Sequence, residues 1–153
     1  MGWTLDESVG QDDTASDEPA RHLEGSVSQT FIYTSVFKVR EGKLEDYRAF
    51  TQRVAALVQE QEPEMIHFGI YLDPDTGEAT TVQVHRSVDN FARHMDLVTP
   101  MMAEARELID LSEMTIRIYG QPTEPILEQM RSLAGAGASV RIAQLAGGAD
   151  HVG

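Results

Sequence analysis

The chain has 153 residues, 41% hydrophobic and 24% charged, the size and balance of one globular domain rather than two. Its net charge of −13 and lack of any clustered Lys and Arg exclude a phosphate-binding surface for nucleic acid, and the absence of cysteine excludes disulfides, thiolate nucleophiles and zinc–thiolate sites. No apolar run approaches the roughly 20 residues of a membrane span, and Met1 to Gly10 has neither the basic start nor the apolar stretch of a secretory signal, so a soluble cytoplasmic protein with no membrane contact is expected.

Residues 1–29 hold seven acids and one base, so about half of the charge imbalance sits there. This segment has no apolar periodicity and too little to bury against its ordering entropy, which predicts a disordered acidic tail. From Thr30 the pattern changes. Phe31, Ile32, Tyr33, Val36, Phe37 and Val39 form a dense β-branched and aromatic run, read as a strand buried on both faces. After Gly42, residues Leu44, Tyr47, Phe50, Val54, Leu57 and Val58 recur at helical spacing, predicting an amphipathic helix that stops at Pro63.

Met65 to Leu72 and Ala79 to His85 read as two strands joined by Asp73-Pro74-Asp75-Thr76-Gly77-Glu78. Pro74 suits the first corner of a turn, and Gly77 can take the left-handed conformation that closes a four-residue loop. Setting Asp73 opposite Glu78 then places Ile66 opposite His85, Phe68 opposite Gln83 and Ile70 opposite Thr81, with His67, Gly69, Tyr71, Val82 and Val84 on the other face. His67 and His85 therefore cannot share a metal ion, and no metal site is expected.

Ser87 is a good N-cap for a second helix whose Val88, Phe91, Met95, Val98 and Met102 form one stripe. Pro100 lacks the amide proton a continuous helix uses, so two helical pieces are expected. Glu113 to Tyr119 alternates as a strand buried on one face. Beyond Gly120, Thr123, Pro125 and the set Ile126, Leu127, Met130 and Leu133 predict a short third helix, and Val140 to Leu145 a terminal strand at a sheet edge. The reading is thus a tail over 1–29, a core domain over 30–120, and a C-terminal helix with an extended tail over 121–153.

The order βαββαβ is the ferredoxin-like split βαβ of the α+β class, and two helices cannot cover both faces of its four strands. An open apolar face is most simply buried against a second copy, so a homodimer is expected. Over about 90 residues the chain resembles the antibiotic biosynthesis monooxygenase family, a dimeric α/β barrel. The resemblance lies in Gly42-Lys43, in Glu62-Pro63, and in Gln83-Val84-His85-Arg86-Ser87 running on to Phe91 and His94. The family commonly has Glu-x-Trp-x-Ser in that last stretch. Here Gln83 stands for the acid and His85 for the Trp, while Ser87 and the helix histidine, His94, are kept. Haem-degrading relatives depend on that Trp and on a first-strand Asn, and this first strand has no Asn.

The resemblance implies cofactor-free oxygenation: a phenol or quinol held in an apolar pocket loses a proton, and its anion passes an electron to oxygen. Histidine titrates near neutrality and is the natural base. His94 is the leading candidate, lying about 70° from the centre of its apolar stripe at 100° per residue, at the core boundary. His85 is the second catalytic candidate, paired with Gln83. Gln83, Phe68, Phe91 and Tyr33 are the candidate contacts for a small aromatic substrate. Met95, Met101 and Met102 read as adaptable packing. Two alternatives share the fold, a non-catalytic dimeric barrel that binds a small aromatic ligand or has a structural role, and a polyketide cyclase that needs the same base but no oxygen.

Overall fold

A computed structural model describes residues 29–150, of which Gln29–Ala146 form one compact unit. Nearly all of the acidic tail, residues 1–28, lies outside the described residues. The elements are β1 (Phe31–Val39), α1 (Leu44–Gln61), β2 (His67–Asp73), β3 (Glu78–His85), α2 (Val88–Val98), a 3-10 turn (Thr99–Met101), α3 (Met102–Leu108), β4 (Ile109–Tyr119), α4 (Glu124–Gly135) and β5 (Ser139–Ala143). They build one five-stranded sheet in the order β2-β3-β1-β4-β5, the ferredoxin-like arrangement with one strand added at the β4 edge. All pairings are antiparallel except β4 with β5, where α4 supplies the crossover that a parallel neighbour requires.

The hairpin forms in the expected register. Asp73 faces Glu78, Phe68 faces Gln83 and Ile70 faces Thr81. Gly77 sits at φ 75° and its amide donates to the Asp73 carbonyl at 2.8 Å, while the Asp73 carboxylate accepts from the Asp75 amide at 2.9 Å. Ser87 caps α2 by accepting from the Asn90 amide, and Pro100 does split the following helix, through the 3-10 turn.

Helices α1 and α2 cover the sheet face that carries Phe31, Tyr33, Ser35, Phe37 and Val39. Phe91 packs at a tilt against Phe31 and stacks on Tyr33, with ring centroids 4.9 and 5.4 Å away, and Tyr47 meets Phe37 edge-on at 5.9 Å. Strand β1 is accordingly not buried on both faces within the single chain. Its other face, Ile32, Thr34, Val36 and Lys38, is only half-buried, because the covering helices among the described residues lie on one side. That open face continues through Thr80, Val82 and Val84 and ends in exposed Tyr71 and Tyr119.

Strand β4 begins earlier than its alternation suggests, at Ile109 instead of Glu113. Between the Val36–Thr115 and Lys38–Asp110 pairs the register shifts, and this irregularity interrupts the period-2 pattern on which a sequence reading depends. It leaves Ile109, Leu111 and Met114 all on one cavity wall. Strand β5 occupies the sheet edge, close to its expected place. Among the described residues no helix is long and apolar enough to cross a membrane.

Candidate active site

A cavity of about 300 Å³ lies between the helix-covered sheet face and the helices. Tyr33, Ser35, Phe68 and Gln83 line it from the sheet, His94, Met95 and Val98 from α2, and Gln129, Ser132 and Leu133 from α4. Of the residues singled out in the sequence, Tyr33, Phe68, Gln83 and His94 therefore share one cavity. His85 and Phe91 do not line it. They stand behind the wall, their rings 5.3 Å apart.

His94 is not at the core boundary. It is 1% exposed, because the end of α1 and strand β2 close over it, with Phe68 5.5 Å from it ring to ring. Its Nδ1 donates to Oε2 of Glu62 at 2.7 Å, and Glu62 is itself 9% exposed. Glu62 follows the last residue of α1; its amide donates to the Val58 carbonyl, and its own carbonyl accepts from Met65. The backbone at that helix end is thereby set on both sides, and the side chain is aimed across to α2. With Nδ1–H committed to the carboxylate, Nε2 is left without a protein hydrogen-bond partner among the described residues, in a side chain that lines the cavity. A carboxylate behind an imidazole fixes its tautomer and stabilises the imidazolium that forms when the other nitrogen takes a proton.

Glu62 was not among the residues singled out as site candidates. A signal for it existed: a carboxylate at the C-terminal end of a helix opposes the macrodipole there, and such a residue is retained where another partner compensates.

His85 is fully buried, and burial pushes its pKa down to about 3, with the neighbouring His94 ring, 5.4 Å away, acting electrostatically in the same direction. It is therefore neutral at physiological pH. Its Nε2–H donates to Gln83 Oε1 at 2.9 Å, and Nδ1 has no partner among the described residues. With Oε1 engaged, the amide N–H groups are the donors that Gln83, a lining residue of the cavity, has left to offer. His85 thus positions Gln83 and is too weak a base to take a proton near neutrality. Burial raises the Tyr33 phenol to about 12, with its hydrogen bond to Ser35 acting weakly against this, so Tyr33 also remains protonated. The wall accordingly offers one proton acceptor, His94, and neutral donors in Gln83 and Tyr33. His67 lies on the other sheet face, where it hydrogen-bonds Tyr71 at 2.9 Å across Gly69; an added Cβ at Gly69 would meet both side chains at 2.8 Å. Among the described residues no group of three or more His, Asp and Glu is placed to hold a metal ion.

No family model matches the chain, and no curated protein matches it in sequence. Solved structures do match. MupZ from Pseudomonas fluorescens is 15% identical, with a TM-score of 0.59 over 80% of this chain and 95% of that one. A candidate antibiotic biosynthesis monooxygenase from Caulobacter crescentus CB15 is 16% identical, with a TM-score of 0.54 over 64% of this chain and 94% of that one. A variant of SnoaB, a cofactor-independent oxygenase from Streptomyces nogalater, is 17% identical, with a TM-score of 0.50 over 63% of this chain and 98% of that one. The chain has the ferredoxin-like fold of the antibiotic biosynthesis monooxygenases, and the MupZ likeness takes in more of the chain than the other two.

Proposed function

We propose that this protein is a cofactor-independent monooxygenase of quinol-like or polycyclic aromatic small molecules. The observation that carries the reading is His94, buried at the wall of an apolar cavity with one nitrogen held by Glu62 and the other unpartnered among the described residues. In the proposed reaction the substrate phenol, or the enol of an anthrone, lies against Phe68 and Tyr33. His94 Nε2 takes its proton, and the imidazolium is stabilised by Glu62. The amide N–H of Gln83, oriented by His85, donates to the developing oxyanion, and in a water-poor site such a donor stabilises charge well. The electron-rich anion passes one electron to dioxygen, the radical pair combines to a peroxide, and loss of water leaves a carbonyl. The balance for an anthrone is one dioxygen consumed and one anthraquinone and one water formed.

The open sheet face supports a second part of the proposal, a homodimer in which the half-buried row Ile32, Val36, Val82 and Val84 is covered by the same row of a second copy. The cavity and its base favour a catalytic protein over a silent barrel, since a filled core would leave no room for a ligand.

The deciding experiment measures oxygen uptake and product mass with a panel of anthrones and naphthoquinols. Uptake of one oxygen per quinone formed, slowed about 100-fold or more in His94→Ala, is expected. Conversion without oxygen uptake and without a gain in mass would replace the reading by a cyclase using the same base. A protein that binds the panel and converts none of it would be the non-catalytic barrel.

A further inference from the structure

Acids outnumber bases two to one in this chain, 25 against 12, yet among the described residues no carboxylate lines the cavity. Glu62 stands behind His94 and is committed to it. The side chains of the wall that can carry positive charge are His94 and Arg106. Arg106 lies in the last turn of α3 and is exposed. Its backbone carbonyl is held by the Arg40 guanidinium at 3.3 Å, which anchors the turn, but its own guanidinium has no carboxylate within salt-bridge distance among the described residues. Arg48, Arg53, Arg93 and Arg131 each hold a glutamate.

The cavity is graded along its length. Tyr33, Ser35, Gln83 and His94 are buried, whereas Thr99, Arg106 and Ser132 are exposed and mark the mouth. A carboxylate in the buried part would lose its hydration with no Lys or Arg among the buried lining residues described to replace it. At the mouth an anion keeps water on one side and gains the planar donor fork of an arginine. Ser132 and Gln129 of α4 line the cavity too and add a hydroxyl and an amide.

We propose that the cavity takes an amphipathic organic anion, with its aromatic body in the apolar interior facing His94 and a carboxylate at the mouth held by Arg106. This names the substrate class for the reaction proposed above and rests on that reading for what His94 does to the aromatic body, though not for binding itself.

The test is a fluorescence titration of the full chain with anthracene-2-carboxylate and with its neutral counterpart 2-(hydroxymethyl)anthracene. The acid should bind about tenfold more tightly or better, the scale of one charge-assisted pair. Arg106→Gln should erase that preference and leave the alcohol's affinity unchanged, while Arg106→Lys should keep part of it. Raising ionic strength to about 0.5 M should weaken the wild-type protein's grip on the acid alone, a measurement that does not depend on any variant folding. Equal affinity for acid and alcohol, or an acid preference that survives in Arg106→Gln or is indifferent to salt, overturns the inference. The two proposals fail separately. Turnover of a neutral quinol that needs His94, without any acid preference, sinks the anion site and leaves the oxygenase; Arg106-dependent acid binding without turnover of any panel member does the reverse.

Discussion

Truncating His94 to alanine tests the Glu62–His94 pair in both its structural and its chemical roles. A histidine at the core boundary would contribute one net hydrogen bond, about 0.5–1.5 kcal/mol. The structure implies more. Both partners are buried, and the alanine variant strands the Glu62 carboxylate with no other side-chain donor recorded for it among the described residues, so a loss of about 3–5 kcal/mol is expected, the range for breaking a buried pair from one side. Removing Glu62 alone strands a less demanding imidazole and should cost less. In the double variant Glu62→Ala/His94→Ala nothing charged is left behind, so the two losses should fall short of additive by about 1.5–3 kcal/mol. Urea unfolding of the four proteins measures this, with the slope checked for constancy so that midpoints report stability. Turnover on a quinol should fall about 100-fold or more in His94→Ala, the scale of a lost general base. Glu62→Gln keeps an acceptor for Nδ1–H but removes the charge that stabilises the imidazolium, so it should lose turnover while staying close to wild-type stability. Losses that add within about 0.5 kcal/mol, together with an unimpaired Glu62→Gln enzyme, would refute the pairing as both a structural and a chemical unit.

His85 predicts a pH dependence of its own. Its folded-state pKa, near 3, lies below the unfolded value near 6.5, so between those values the unfolded chain binds a proton that the folded one rejects, and stability must fall as pH drops through that window, by at most about 1.4 kcal/mol per pH unit. Chemical denaturation at a series of pH values should show this slope in the wild type and a shallower one in His85→Gln; equal slopes would mean that the imidazole protonates freely when folded. For the dimer, sedimentation at micromolar concentration should show a two-chain species burying roughly 1,200–2,000 Å² or more, and Val82→Asp, on the half-buried face, should dissociate it without unfolding the chain. A well-folded wild-type monomer at that concentration would contradict the pairing.

The local chemistry of the chain was enough for the element order, the hairpin register and the break at Pro100. A proline's missing N–H, a glycine at positive φ and a 3.6-residue apolar period act within a few residues of themselves, so their consequences can be read without a fold. The same information placed Phe68, Gln83 and His85 on one face of the hairpin, because alternation in a strand is local too. The start of β4 at Ile109 was not legible, since the register shift against β1 erases the alternation that would have announced it. Nor was the burial of His94: a helical wheel ranks residues against their own helix and knows nothing of the α1 terminus and β2 strand that cover this one. Glu62 and His94 lie 32 residues apart on separate elements, and α4 reaches the cavity only because β5 joins the sheet beside β4. Which side chains meet across elements is decided by how whole faces pack, a property of the assembled sheet and helices, and that is why the acid–base pair and the arginine at the mouth became visible only in the folded structure.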